Sequence, residues 1–212
     1  MLKQLIDPST GILKDEDLPE ALVCIDLAKK MCLNLLGSTL IVRGKPYILA
    51  SLELYYGGVG DMGNDWHRYN FQSKKGLSGE DVKWQVTGGP RVYISKHGPR
   101  QRMDIVLGPD GVAVSALVRN VIDPEKGSFS DSWIGNTKLI QDRMGISRAD
   151  LGKPIKPGGE FELIDTHGKY VSSVENDIIH AKRVQAGKHI GFKGTWGEEL
   201  WNFTLREGVI KY

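Results

Sequence analysis

Tyr47-Ile-Leu-Ala-Ser-Leu-Glu-Leu-Tyr-Tyr-Gly57 is the stretch on which the fold turns. Side chains alternate across a strand with a period of two, so Ile48, Ala50, Leu52 and Leu54 share one apolar face while Ser51, Glu53 and Tyr55 point the other way. The pattern predicts a strand over residues 47–56. It places a carboxylate beside an aromatic ring just before a glycine-rich loop. In a desolvated cleft such a carboxylate can serve as a general base for water, and the ring can serve as a stacking platform. A solvent-facing glutamate on a half-buried sheet explains the same pattern, and the strand alone favours that plainer reading.

Working outward, residues 38–42 read as a strand that reaches this one through a turn at Arg43-Gly44-Lys45-Pro46. Before it, residues 17–36 form an amphipathic helix, with Leu18, Leu22, Ile25 and Ala28 at helical spacing and Met31, Cys32, Leu35 and Leu36 continuing the face. Asp17 can cap its start and Gly37 its end. After it, residues 57–89 hold eight glycines and little periodicity, which predicts a long loop with a short strand over 82–86. Further strands are expected over 91–97, 101–107 and 112–119, the last two joined by a turn at Gly108-Pro-Asp-Gly111. A short helix over 136–144 stops at Gly145. Strands over 160–164 and 170–174 flank a turn at Asp165-Thr-His-Gly168, residues 154–159 are a loop, and residues 200–206 supply a closing strand. The sum is an α+β fold, a single domain over residues 1–212 with a curved, mostly antiparallel sheet and peripheral helices.

Composition narrows the function classes. The chain has 212 residues, 28 Lys plus Arg against 26 Asp plus Glu, 40% apolar residues and 25% charged ones, which fits a globular protein and argues against disorder or coiled coil. No apolar run reaches the ~18 residues needed to span a bilayer. The first residues lack the apolar core and cleavage site of a secretory signal, so an intracellular location, without membrane association, is expected. Cys24 and Cys32 sit eight apart on one expected helix, where they could not bridge.

Charge is sorted along the chain. Residues 82–103 contain no acid, while Lys83, Arg91, Lys96, Arg100 and Arg102 are cationic, with Trp84, Tyr93 and His97 among them. A second acid-free stretch, residues 178–196, carries Lys182, Arg183, Lys188 and Lys193 with His180 and His189. Acids gather in Asp15-Glu-Asp17 and Glu20. A basic face of this kind is the footprint of a phosphate-backbone binder, although charge alone favours a merely solvated surface. Asp61, Asp65 and His67 can be read as metal ligands of a small-molecule hydrolase, but no helical His spacing or second carboxylate cluster completes a site, and no metal or cofactor is expected.

Leu35-Leu-Gly37 at a helix end, Leu52-Glu-Leu-Tyr-Tyr-Gly57, His67, Arg91-Val-Tyr-Ile94, Arg119 after an apolar strand, and Gly135-Asn-Thr-Lys-Leu139 with Gly145-Ile146 come in a telling order. Between about Ala28 and Phe203 the chain resembles the alkyladenine (3-methyladenine, methylpurine) DNA glycosylases, as a divergent member. Each motif is short, and their succession is what carries the likeness. The resemblance implies a monofunctional enzyme of base excision repair that flips alkylated or deaminated purines out of duplex DNA and hydrolyses their N-glycosidic bonds. It implies Glu53 as the carboxylate that activates water against the sugar C1′, with Arg119 helping to hold that water. It implies Tyr55 stacking on one face of the flipped base and His67 and Tyr93 closing the other. Extruding a base costs a few kcal/mol, and stacking worth ~1–3 kcal/mol per base offsets much of it.

The basic stretches flank positions that the resemblance puts beside DNA, so Lys96, His97, Arg100, Arg102 and Arg183 are its expected DNA contacts, in a protein expected to act as a monomer. Three features depart from the family. Where the family inserts a tyrosine into the gap left by the flipped base, the nearest residue here is Lys96, followed by His97, and neither fills that gap as a phenol does. Where the family has an asparagine that helps exclude guanine, this chain has Asp104, which cannot donate as an amide does unless protonated. The spacing from Tyr55 to His67 is a few residues longer. These departures keep a second expectation open, a catalytically drifted nucleic-acid-binding module of the same fold.

Overall fold

The structure is a computed structural model, and it describes residues 18–56, 84, 87–94, 102–108, 114–126, 133–134, 142–164, 178–181 and 200–206. Helix α1 (Leu18–Leu35) leads into β1 (Thr39–Val42) and the long β2 (Lys45–Tyr56). Then come β3 (Arg91–Ile94), β4 (Met103–Val106), β5 (Val114–Ile122) and β6 (Trp133–Ile134), followed by β7 (Phe161–Ile164), β8 (Ile178–Ala181) and β9 (Asn202–Leu205). The nine strands among the described residues belong to one sheet in the order β3-β4-β5-β2-β1-β7, with β6 on β5, β9 on β2 and β8 on β9. Every pairing among the described strands is antiparallel, where a mostly antiparallel sheet was expected. The fold is α+β, with a curved antiparallel sheet and few helices.

Two long strands make the sheet's spine. On its side away from β5, β2 pairs first with β1 along residues 45–48 and then with β9 along 51–53. Strand β5 likewise pairs with β4 along 115–117 and with β6 along 121–122. Exchanging neighbours midway demands a local bend, and the β2–β5 ladder supplies it. The register steps from Leu49↔Val121 to Ser51↔Asn120 and then to Leu52↔Val118, leaving Ala50 and Arg119 without cross-strand partners. Two such bulges, one on each strand, bend and twist the sheet there. The bulge on β5 is also what lifts Arg119 out of the ladder.

At the other end of β2, Arg43 and Gly44 have φ of 49° and 82° and Val42 faces Lys45, a two-residue hairpin whose positive φ values match the twist of its strands. The expected four-residue turn is therefore shorter, and Lys45 and Pro46 belong to the strand. Pro46 is tolerated because the pairing with β5 begins only at Ile48. Gly37, with φ of 81°, ends α1 as expected. Ala28, Cys32 and Leu35 form its buried stripe and pack with Leu52, Leu54, Ala116, Val118, Ile105, Val92 and Phe203 in one core on the apolar face of the sheet.

Several expectations need correction. Trp84 lies in a helical turn rather than a strand. Strand β5 runs to Ile122, three residues beyond the expected end at Arg119. Strand β8 was not expected: its Ile-Ile-His-Ala has no alternation and finds its ladder only on β9. Strand β7 pairs with β1, and its expected partner over 170–174 lies outside the described residues. So do Asp17, the turn over 109–111 and most of the helix over 136–144, of which a turn at 142–144 before Gly145 is described.

Candidate active site

The polar face of the sheet carries a continuous transverse row. Tyr93 on β3 faces Asp104 on β4, Asp104 faces Leu117 on β5, Leu117 faces Glu53 on β2, and Glu53 faces Asn202 on β9. Directly opposed residues in antiparallel strands project to the same side, so these five side chains share one surface. The neighbouring row, Arg91–Val106–Ser115–Tyr55, shares it too. Alternation along β2 therefore places Ser51, Glu53 and Tyr55 on this face, as read from the sequence. The half-buried sheet does not hold: Glu53 is 0% exposed and Tyr55 5%.

Glu53 is held from both sides. Its Oε1 accepts a short hydrogen bond from the Tyr55 hydroxyl, two residues along the same strand. Its Oε2 accepts from Arg119, with Nε at 2.8 Å and Nη2 at 2.5 Å. Arg119 was expected as a cation at a strand end. Instead it sits at the bulge within β5, and its side chain is only 18% exposed. A fully buried carboxylate is costly unless paired and hydrogen-bonded, and here three donors from two residues meet it. Each carboxylate oxygen offers two acceptor positions, so this pairing leaves acceptor capacity for a water. Behind the strand, burial pushes the Cys32 thiol well above its ordinary value, and the Glu53 charge pushes it further.

Beyond Leu117, Tyr93 is buried and Asp104 is 0% exposed. The Ser115 hydroxyl donates to Asp104 Oδ2 at 2.9 Å. Ser115 itself lies opposite Tyr55, so Glu53, Tyr55, Ser115 and Asp104 are linked across three adjacent strands. The structure thus brings together Glu53, Tyr55, Tyr93, Asp104 and Arg119. Arg102 is half-buried just ahead of β4. His67, Lys96, His97, Arg100 and Arg183 lie outside the described residues, as do Asp61 and Asp65 of the metal reading. Among the described residues no three His, Cys, Asp or Glu side chains gather as metal ligands, and no helix is long and apolar enough to cross a membrane.

Sequence reasoning missed two parts of this face. One is Ser115. The other is a small polar cluster beside Glu53, where the Ser51 and Thr204 hydroxyls lie 2.6 Å apart and both approach the Asn202 side-chain oxygen at 3.4 Å. The signal available was Asn202-Phe-Thr204, polar at alternate positions in a strand, which matches Ser51-Leu-Glu53. Finding it requires knowing that β9 lies beside β2.

A separate charge cluster braces the hairpin end of the sheet. Buried Asp150 pairs with Arg43 and with Lys153 at 2.9 Å, and both cations also reach Glu160, at 3.3 and 2.8 Å. Burial alone would raise the Asp150 carboxyl, but the Ser147 backbone N–H, Lys153 and Arg43 outweigh it and hold the group below its ordinary value. This cluster ties residues 145–160 to β1 and β2.

Compared with known proteins, the chain matches no protein-family model and no curated sequence. The arrangement around Glu53 is what the functional reading has to stand on.

Proposed function

We propose that this protein is a monofunctional DNA glycosylase that hydrolyses the N-glycosidic bond of alkylated or deaminated purines flipped from duplex DNA. The observation that carries the reading is a fully buried carboxylate, Glu53, fixed by the Tyr55 hydroxyl on one oxygen and the Arg119 guanidinium on the other. In the proposed mechanism Glu53 accepts a proton from water as that water attacks C1′. Its negative charge, oriented in advance in a water-poor site, stabilises the positive charge developing on the sugar. Arg119 holds the carboxylate in place and lends a donor to the water. The rings of Tyr55 and Tyr93, on the same face, supply stacking surface for the extruded base.

Base release from duplexes carrying 3-methyladenine, hypoxanthine or ethenoadenine tests this. Release by the wild-type protein, abolished in a folded Glu53→Gln variant, is expected; release by that variant at the wild-type rate sinks the assignment. One observation favours a second reading, a non-catalytic nucleic-acid-binding module: Glu53 already has both oxygens engaged, as in a structural ion pair. That reading requires salt-dependent DNA binding that survives Glu53→Gln, with no lesion excised by either protein.

A further inference from the structure

Along the row through Glu53 the polar face is buried from Tyr93 on β3 to Glu53 on β2, and it opens beyond. The next two members of the row, Asn202 on β9 and Ala181 on β8, are half-buried. One row along, Ser51 is buried, Thr204 is half-buried and Ile179 is 46% exposed. Alternation puts Leu200, two residues before Asn202, on the same side, and it is 48% exposed. His180 and Phe203 occupy the opposite face, where their rings meet edge to face. Among the described residues β8 pairs with β9 alone, so this is an outer end of the sheet. The accessible side of the site is therefore β9 and β8, one strand step of about 5 Å from Glu53.

The side chains that form this shelf, Leu200, Asn202, Thr204, Ile179 and Ala181, carry no charge. The Ser51 and Thr204 hydroxyls both approach the amide oxygen of Asn202, at 3.4 Å, so its N–H groups are turned away from them and serve as donors. A phosphate asks for cations, and none of these five supplies one. A deoxyribose within a DNA strand asks for what the shelf has: its C1′ and C2′ side is apolar, and its ring and ester oxygens are acceptors only. We propose that the shelf binds the deoxyribose of the target nucleotide, which reaches Glu53 across β9, with Leu200 and Ile179 against its apolar side and Asn202 donating to one of its oxygens. This rests on the glycosylase reading and adds a binding surface to it. It also sets the sugar on the opposite side of Glu53 from Leu117, Asp104 and Tyr93.

The test uses the full chain and single-turnover base release over a range of enzyme concentrations. The duplex carries whichever of 3-methyladenine, hypoxanthine and ethenoadenine the wild-type protein releases fastest. Asn202→Ala removes the N–H donors and should raise the enzyme concentration giving half the maximal rate by about 3- to 10-fold, the range of one neutral hydrogen bond. Ile179→Ser combined with Leu200→Ser removes the apolar contact and should raise it by about fivefold or more. In both proteins the maximal rate should stay within about threefold of wild type. Ile164→Ser is the control, since Ile164 is 40% exposed on β7, at another end of the sheet, and should change neither quantity. A half-saturating concentration within about twofold of wild type in the Ile179→Ser/Leu200→Ser protein overturns the proposal, as does an equal shift in Ile164→Ser. Both serines replace side chains already nearly half exposed, so this double variant decides even if Asn202→Ala does not fold. Failure of the glycosylase reading looks different: the wild-type protein then releases no base from any of the three duplexes.

Discussion

Replacing Arg119 by Met keeps most of the side chain's apolar stem and removes every donor it gives to Glu53. Glu53 has no exposure of its own, so water cannot replace the guanidinium cheaply. Breaking a buried pair by removing one partner costs about 3–5 kcal/mol, mostly the penalty of the charge left behind. Glu53→Gln should cost less, about 1–2 kcal/mol, because Arg119 retains 18% exposure and can turn toward water while the new amide oxygen still accepts from Tyr55. With both changes made no buried charge is left unpaired, and such neutral replacements are often close to neutral in stability. The single-variant losses therefore exceed that of the double variant, and the double-mutant cycle should return a favourable coupling of at least about 2 kcal/mol. Urea unfolding of the four proteins at 25 °C, with equal m-values as the check on two-state behaviour, measures it. A coupling below about 0.5 kcal/mol, the level of an exposed pair, would refute the account of Glu53 as a buried, guanidinium-held carboxylate. Base release measured on the same four proteins separates structural from chemical roles. The double variant should regain stability and no activity.

Tyr55→Phe keeps the ring and removes the hydroxyl bonded to Glu53. Loss of a hydrogen bond to a charged group, about 1.5–3 kcal/mol, should lower base release at saturating enzyme by about tenfold or more, with DNA affinity little changed; an unchanged single-turnover rate would remove the hydroxyl from the mechanism. Gly152 has φ of 80°, and a Cβ there would lie 2.6 Å from the Trp84 ring, so Gly152→Ala should lose at least about 2 kcal/mol and lower the melting temperature by several degrees; an unshifted melt would mean the ring has room to move. Asp150 is held below its ordinary value, so its contribution to stability is fully present above the unfolded pKa of about 3.9 and is lost as pH falls through the lower folded value. Asp150→Asn should therefore be less stable at neutral pH and lose less on acidification; parallel stability curves for the two proteins from pH 6 to pH 2, as bounds of about four units, would contradict this.

The strands that build the site were legible because their side-chain periodicity is local. Glu53 and Tyr55 had to share a face once residues 47–56 were a strand, and the hydrogen bond between them follows from a spacing of two. That Arg119 meets Glu53 is a different kind of fact. It depends on the register of β5 against β2 and on the shift in that register at Arg119, and neither leaves a local mark in a strand expected to end at Arg119. Burial was misjudged for a related reason. Alternation of apolar and polar residues ordinarily marks a sheet with one wet face, which is why a solvent-facing Glu53 was the plainer reading. The polar residues of one strand cannot reveal that those of its neighbours are their partners. Placed side by side, Glu53 with Arg119 and Asp104 with Ser115 satisfy one another, and a face that each strand alone marks as wet can be closed at tolerable cost.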